Sequence, residues 1–160
     1  GHLLPETCVL ARDVRLRGLG FSGACFQRVS DPETGFDLFK PEANGPAIAN
    51  PDARLVRIGP NVELGGALIA LCRDAGWSRA SVHGVGSLIG ARFQDGSRMN
   101  SFATEFMMRE GRILNAMNET GACAKIDISL VGLDGSFMSG RLAAHRNPVL
   151  ITAELVLKRL

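Results

Sequence analysis

Residues that commonly carry chemistry are few in this sequence, and none shows a catalytic or metal-binding spacing. The cysteines form no C-x-x-C pair and no zinc-ligand pattern, so we expect reduced thiols packed as small core hydrophobes. We expect His83 to be packed and hydrogen-bonded within a strand, and His145 to be solvated in a polar loop. The motif Gly84-x-Gly86-Ser87 precedes apolar, strand-like residues rather than a helix, which favours close strand packing over a phosphate loop. The cysteines are Cys8, Cys25, Cys72 and Cys123.

The charged residues likewise allow more than one interpretation. Glu105 lies among apolar neighbours of a predicted strand, where a carboxylate would be either a general base or an ion-pair partner of Arg92 or Arg112. Arg12, Arg15 and Arg17 lie close together with an acid between them, which fits a solvated strand face better than a phosphate-binding patch.

Composition restricts the class of protein. The 160 residues are 46% hydrophobic and 21% charged, which is typical of one globular domain. A net charge of +2 and a pI of about 8.5, with no run of Lys and Arg, argue against a strong nucleic-acid binder. The sequence has no membrane-length apolar stretch and no signal peptide, so we expect a cytoplasmic protein. Because the chain begins with Gly, we expect that an upstream segment was removed.

The pattern of elements predicts an α+β fold, a largely antiparallel sheet with one main flanking helix. Apolar residues recur at helical spacing over 62–75, with Gly76 as the stop signal and Asn61 as the predicted cap. Strands are predicted on both sides, joined by turns at 30–35, 94–97, 110–111 and 133–136. Pro, Asn and Gly are dense over 41–52, which predicts a linker.

Residues 54–160 resemble the plants and prokaryotes conserved (PPC) domain. The matching segments, in order, are Gly59-Pro60-x-x-Glu63-Leu64, Gly86-Ser87-Leu88, Glu105-Phe106, Gly111-Arg112-Ile113, Ser129 to Gly135, Gly140-x-Leu142 and Thr152 to Leu155. The resemblance implies a sheet with a flanking helix, assembly as a homotrimer, and association with DNA by family analogy. The Arg-Gly-Arg-Pro hook of the plant members, which enters the minor groove, is absent.

This sequence departs from the family at its histidine cluster. Prokaryotic members carry His-x-His and Gly-Gly-His-Leu where this chain has Lys125-Ile126-Asp127 and Ser139-Gly140-Arg141-Leu142. Two cations and one carboxylate replace the imidazoles, so we expect no metal there. If the strands pair as in the family, Lys125, Asp127 and Arg141 converge, either as an anion pocket or as a structural salt bridge.

The start of the chain keeps the histidine that the later segment has lost. His2, within Gly1-His2-Leu3, is a possible relic metal ligand, and residues 1–40 resemble the closing strands of a preceding PPC copy. We therefore expect such strands over 1–40, a linker over 41–52 and a PPC-like domain over 53–160.

Two hypotheses follow from these observations. In the first, the chain is a non-enzymatic oligomerisation module without a cofactor, forming a trimer that binds DNA weakly at most. In the second, it is a small-anion-binding protein or enzyme with an interface pocket near Lys125, Asp127 and Arg141, with Glu105 among its ligand-binding residues.

Overall fold

A computed structural model describes residues 9–15, 17–18 and 20–160. The strands are β1 Gly23–Ser30, β2 Asp37–Asn44, β3 Ala53–Ile58, β4 Ala80–Leu88, β5 Ala91–Arg92, β6 Arg98–Met99, β7 Thr104–Leu114, β8 Cys123–Gly132, β9 Phe137–Arg141 and β10 Val149–Arg159. One helix, α1 (Leu64–Asp74), lies between β3 and β4. Within the described ranges, no helix has the length and hydrophobicity needed to cross a membrane.

Six strands form the main sheet in the order β3-β10-β4-β7-β8-β9, and all neighbours are antiparallel. Within the described part of the chain, the sheet is buried on one side only. Along β8, the even-numbered residues from Ile126 to Leu130 are buried and the odd-numbered ones are more exposed. We call the buried side, which packs against α1, the inner face, and the other side the open face. The predicted α+β class with a mostly antiparallel sheet is therefore confirmed.

Helix α1 supplies the cover of the inner face. Its buried residues recur at helical spacing, as the sequence predicted: Leu64, Leu68, Ile69 and Cys72. The N-cap is not the predicted Asn61 but Glu63, whose Oε2 accepts a hydrogen bond from the Gly66 amide at 2.7 Å. Gly76 ends the helix with φ +69, a conformation that favours glycine.

A small hairpin of β5 and β6 covers the inner face beyond α1. Phe93 lies against Gly140 of β9, where a Cβ added to the glycine would come 3.0 Å from the ring. At the hairpin tip, Asp95 accepts hydrogen bonds from the amide and hydroxyl of Ser97. These bonds confirm the turn predicted at 94–97 and lower the pKa of Asp95.

The N-terminal hairpin is a separate two-stranded sheet of β1 and β2 that packs beside β3. Asp31 accepts two hydrogen bonds from Thr34 in its turn, as expected from the sequence. Strand β2 continues to Asn44, four residues into the segment predicted as a linker. The proposed origin of residues 1–40 in a preceding copy stays a prediction, and His2 and Cys8 lie outside the described residues.

Three local predictions are corrected. Glu110 and Gly111 do not turn the chain but lie within β7, where a bulge separates Met108 from Glu110. The close packing of β7 on β4 at this point requires glycine at position 111, because a Cβ there would lie only 2.7 Å from the Val82 carbonyl oxygen. His83 is exposed rather than packed, since the side chain lies on the open face. Cys123 is exposed at the first position of β8, so not every cysteine belongs to the core.

The glycine motif in β4 serves strand packing, as predicted. A Cβ on Gly84 would overlap the Glu154 carbonyl oxygen, and one on Gly86 would lie 2.7 Å from the Ala153 Cα. Both contacts are with β10, which pairs with β4 in the main sheet. The close approach of two backbones therefore accounts for the glycines without a ligand.

Candidate functional site

Asp127 and Arg141 meet across β8 and β9, where they are direct register partners. The Arg141 Nε and Nη2 donate to the same Asp127 oxygen, Oδ2, at 3.2 and 2.7 Å. This hydrogen bond, together with the charges of Asp127 and Glu110, raises the pKa of Arg141. The side chains are 44% and 20% exposed, so solvent screens the pair substantially.

Further charges extend this pair along the open face. Glu110 is the β7 register partner of Asp127, and Arg112 is that of Lys125. Arg112 donates to Glu110 at 2.7 Å, so each carboxylate of the facing like-charged pair has its own arginine. We call these residues the charge ladder: Glu110, Arg112, Lys125, Asp127 and Arg141.

Lys125 is exposed and has no ion pair in the described part of the chain. The structure thus brings together two of the three predicted cluster residues, Asp127 and Arg141, and places Lys125 on the same face of β8. Glu105 lies on the same open face but away from the cluster, opposite Ser87 on β4 and Val131 on β8. Of its two predicted partners, Arg112 is bonded to Glu110 instead.

Apolar side chains lie beside the charge ladder on the open face. Val85 and Met107 are direct register partners and are 52% and 57% exposed. Phe137, which is 66% exposed, pairs with Val131 on the neighbouring strand. We call Val85, Met107, Val131 and Phe137 the open-face patch. Exposed large hydrophobics at neighbouring sheet positions are typical of a surface that binds another protein.

A separate cavity of about 100 Å³ lies at the start of α1. Its lining includes Glu63, Cys123, His145 and Asn147. The His145 Nδ1 is 3.9 Å from Glu63 Oε2, beyond hydrogen-bonding distance, while that oxygen caps the helix. Sequence reasoning missed this grouping because its members are distant in the chain and Glu is an uncommon N-cap.

In the described residues, no group of three or more His, Cys, Asp or Glu is arranged to hold a metal ion. His83 and His145 lie on different parts of the structure, His83 on the open face and His145 in the loop before β10. The predicted relic ligand His2 lies outside the described residues.

Comparison with known proteins gives structural but not sequence matches. No protein-family profile and no curated protein matches the chain. A PPC protein from Pyrococcus horikoshii shares 18% identity over 68% of this chain and 78% of its own, with a TM-score of 0.50. A protein from Bacteroides thetaiotaomicron, provisionally named DNA-binding, shares 13% identity over 86% of this chain and 85% of its own, with a TM-score of 0.51. A metal-containing protein from Archaeoglobus fulgidus shares 15% identity over 68% of this chain and 79% of its own, with a TM-score of 0.51.

These similarities establish the fold alone. The described chain has a PPC-like fold, in which a mostly antiparallel sheet is flanked by one helix, and the resemblance found in the sequence is confirmed at that level.

Proposed function

We propose that this chain, with its PPC-like fold, is a non-enzymatic assembly module that associates with copies of itself through the open face. The observation that carries the proposal is the open-face patch, where Val85, Met107 and Phe137 are each more than half exposed. Burying a fully exposed side chain of this kind contributes about 1.5–3 kcal/mol, and although these are already partly covered, several on one surface favour association.

The charge ladder favours a second copy as the occupant of this surface. It holds two carboxylates and three cations side by side. The same surface therefore offers both positive and negative charge, and an identical surface can complement it. The family resemblance suggests that the assembly is a homotrimer.

Light scattering tests this proposal. We expect a mass three times that of the 17.1 kDa chain, and a reduced mass for Met107→Lys. Met117→Lys is a matched control, because Met117 is also 57% exposed but lies in the loop between β7 and β8. A monomeric wild type would overturn the proposal. Equal loss in both variants would show that the surface is not specific.

Weak association with DNA is a second part of the proposal, supported only by the naming of a structural neighbour. We expect weak binding that salt reduces further and that does not depend on sequence, because attraction of a modest positive charge to the phosphates is its main contribution. A titration with duplex DNA at several salt concentrations measures this, and salt-independent or sequence-selective binding would contradict it.

The alternative function is a small-anion-binding protein or enzyme with a pocket near Lys125, Asp127 and Arg141. Lys125 favours it, because this cation has no ion pair among the described residues. Against it, the Arg141 guanidinium is already bonded to Asp127. A thermal-shift screen with small anions on the wild type and Lys125→Gln separates the two functions, since a ligand stabilises only the protein that binds it.

A further inference from the structure

A second and more polar cavity of about 240 Å³ lies at the end of β4, between the β5–β6 hairpin and the loop before β10. Three arginines line it: Arg92 from β5, Arg98 from β6 and Arg146 from the loop. Among the described residues, no Asp or Glu lines this cavity, and the acid of the hairpin, Asp95, is bonded to Ser97 at the tip. The cavity is therefore a concentration of positive charge in a chain whose net charge is only +2.

The arginines are not matched by acids elsewhere. None of the three guanidinium groups has an ion pair or side-chain hydrogen bond within the described residues, and all three residues are exposed. Arg92 and Arg98 are direct register partners across β5 and β6. Like charges facing each other across two strands destabilise the pairing, and a bound anion would relieve that repulsion.

A rigid framework holds the arginines in place. Asn147 is 1% exposed, and its amide oxygen accepts from the Arg92 amide at 2.8 Å. Its amide nitrogen donates to the carbonyl oxygens of Arg92 and Ala143. Asn147 therefore ties the loop that carries Arg146 to the strand that carries Arg92.

Gly90 brings the backbone close at the cavity wall. It has φ +63, and a Cβ there would lie 2.6 Å from the Met99 carbonyl oxygen. A larger residue would separate the two strands of the hairpin, so the glycine keeps Arg92 and Arg98 opposed.

We propose that this cavity binds the phosphate group of a nucleotide. Arginine suits phosphate because its planar guanidinium donates paired hydrogen bonds to the oxygens. Asn100 and Ser101 add polar side chains to the lining. Phe102 also lines the cavity and is 71% exposed, which leaves its ring available for a base to stack on. The cavity is smaller than the pockets that enclose whole ligands, so it holds the phosphate while the base lies outside the cavity, stacked on Phe102.

This site is independent of the proposed self-association. It lies on the hairpin that covers the inner face, whereas the open-face patch is on the opposite side of the sheet. Failure of either proposal therefore leaves the other standing.

Calorimetric titration of the full chain tests the site with three probes: inorganic phosphate, AMP and a short single-stranded oligonucleotide. We expect saturable AMP binding that Arg98→Gln weakens about tenfold or more. The control is Arg79→Gln, which removes the same charge from an exposed position just before β4, at the other end of that strand. It should change the affinity by less than about twofold. Phe102→Ala should weaken AMP binding and leave phosphate binding unchanged.

Arg98→Gln removes the facing like charges, so this variant should be at least as stable as the wild type without ligand. Phosphate should raise the Tm of the wild type more than that of the variant. If the oligonucleotide binds but phosphate and AMP do not, and Arg98→Gln weakens that binding, the site recognises the phosphate of a nucleotide within a nucleic-acid strand. Absence of saturable binding of all three probes, or equal weakening by Arg79→Gln, would overturn the proposal. Phosphate binding with no gain from AMP and no effect of Phe102→Ala would overturn the nucleotide assignment.

Discussion

Asp127 and Arg141 face each other across β8 and β9, and two guanidinium nitrogens of Arg141 bond one carboxylate oxygen of Asp127. In the family that this chain resembles, histidines occupy these positions. Here the two opposite charges neutralise each other on the open face of the sheet.

Because solvent reaches Arg141 and screens this ion pair, its removal should have a small effect on stability. We expect Asp127→Ala and Arg141→Ala each to lower the Tm by no more than about 2 °C. Thermal unfolding of the single and double variants measures the effect, and light scattering on the same samples shows whether assembly survives. A large fall in Tm would show that the pair stabilises the protein more than a screened ion pair should, and loss of assembly would show that it supports the interface.

Gly86 should be intolerant of even a single methyl group. A Cβ there lies 2.7 Å from the Ala153 Cα of the neighbouring strand, so Gly86→Ala should destabilise the fold by about 1–3 kcal/mol. The matched change is Gly59→Ala, where no described atom lies within 4 Å of a new Cβ, and it should alter stability by less than about 1 kcal/mol. Urea unfolding measures both, and equal effects would disprove the packing explanation of the glycine motif.

The thiols of Cys72 and Cys123 should differ strongly in reactivity. Cys72 is fully buried, and burial raises the pKa of its thiol to about 11, so it is protonated and shielded. Cys123 is exposed at the start of β8. Alkylation followed by peptide mass spectrometry should label Cys123 at least about 100-fold faster than Cys72. Labelling of both on denaturation is the control, and comparable rates in the native protein would contradict the buried position of Cys72.

The stability of the fold should carry a pH-dependent contribution from Glu154. Partial burial on β10 raises the pKa of its carboxyl above the ordinary value of 4.5, although hydrogen bonding to the carboxylate and, to a lesser extent, the charge of Arg57 oppose the shift. The folded state therefore favours the protonated acid. This contribution is fully present below pH 4.5 and is lost as the pH rises through the raised pKa.

Glu154→Gln should accordingly increase the free energy of unfolding near neutral pH and have a smaller effect in acid. Urea unfolding at about pH 7 and about pH 4 measures the difference. Glu119→Gln, at an exposed loop position, is the control and should show no such pH dependence. A Glu154→Gln variant that is less stable near neutral pH would mean that the attraction of Arg57 outweighs desolvation.

Local patterns in the sequence determined the elements and the class of fold. The spacing of Leu64, Leu68 and Cys72 predicted α1, because side chains that recur at helical spacing lie on one buried face. The alternation along β8 can likewise be read from the sequence, since Ile126, Ile128 and Leu130 share one face, which is the buried one in the structure. The turn at Asp95 and Ser97 could also be recognised, since its hydrogen bonds join residues two apart.

Tertiary structure alone decided which distant residues meet. Glu63 and His145 approach across a cavity, and Arg146 lines the same cavity as Arg92 and Arg98, although neither grouping has any fixed spacing along the chain. Alternation places His83 on the face opposite the buried Ala80 and Val82, but only the packing of the helix and hairpin on the other face of the sheet decided that this face is the exposed one. Contacts between residues far apart in sequence depend on register and loop paths, and these are settled only when the sheet, the helix and the hairpin pack together.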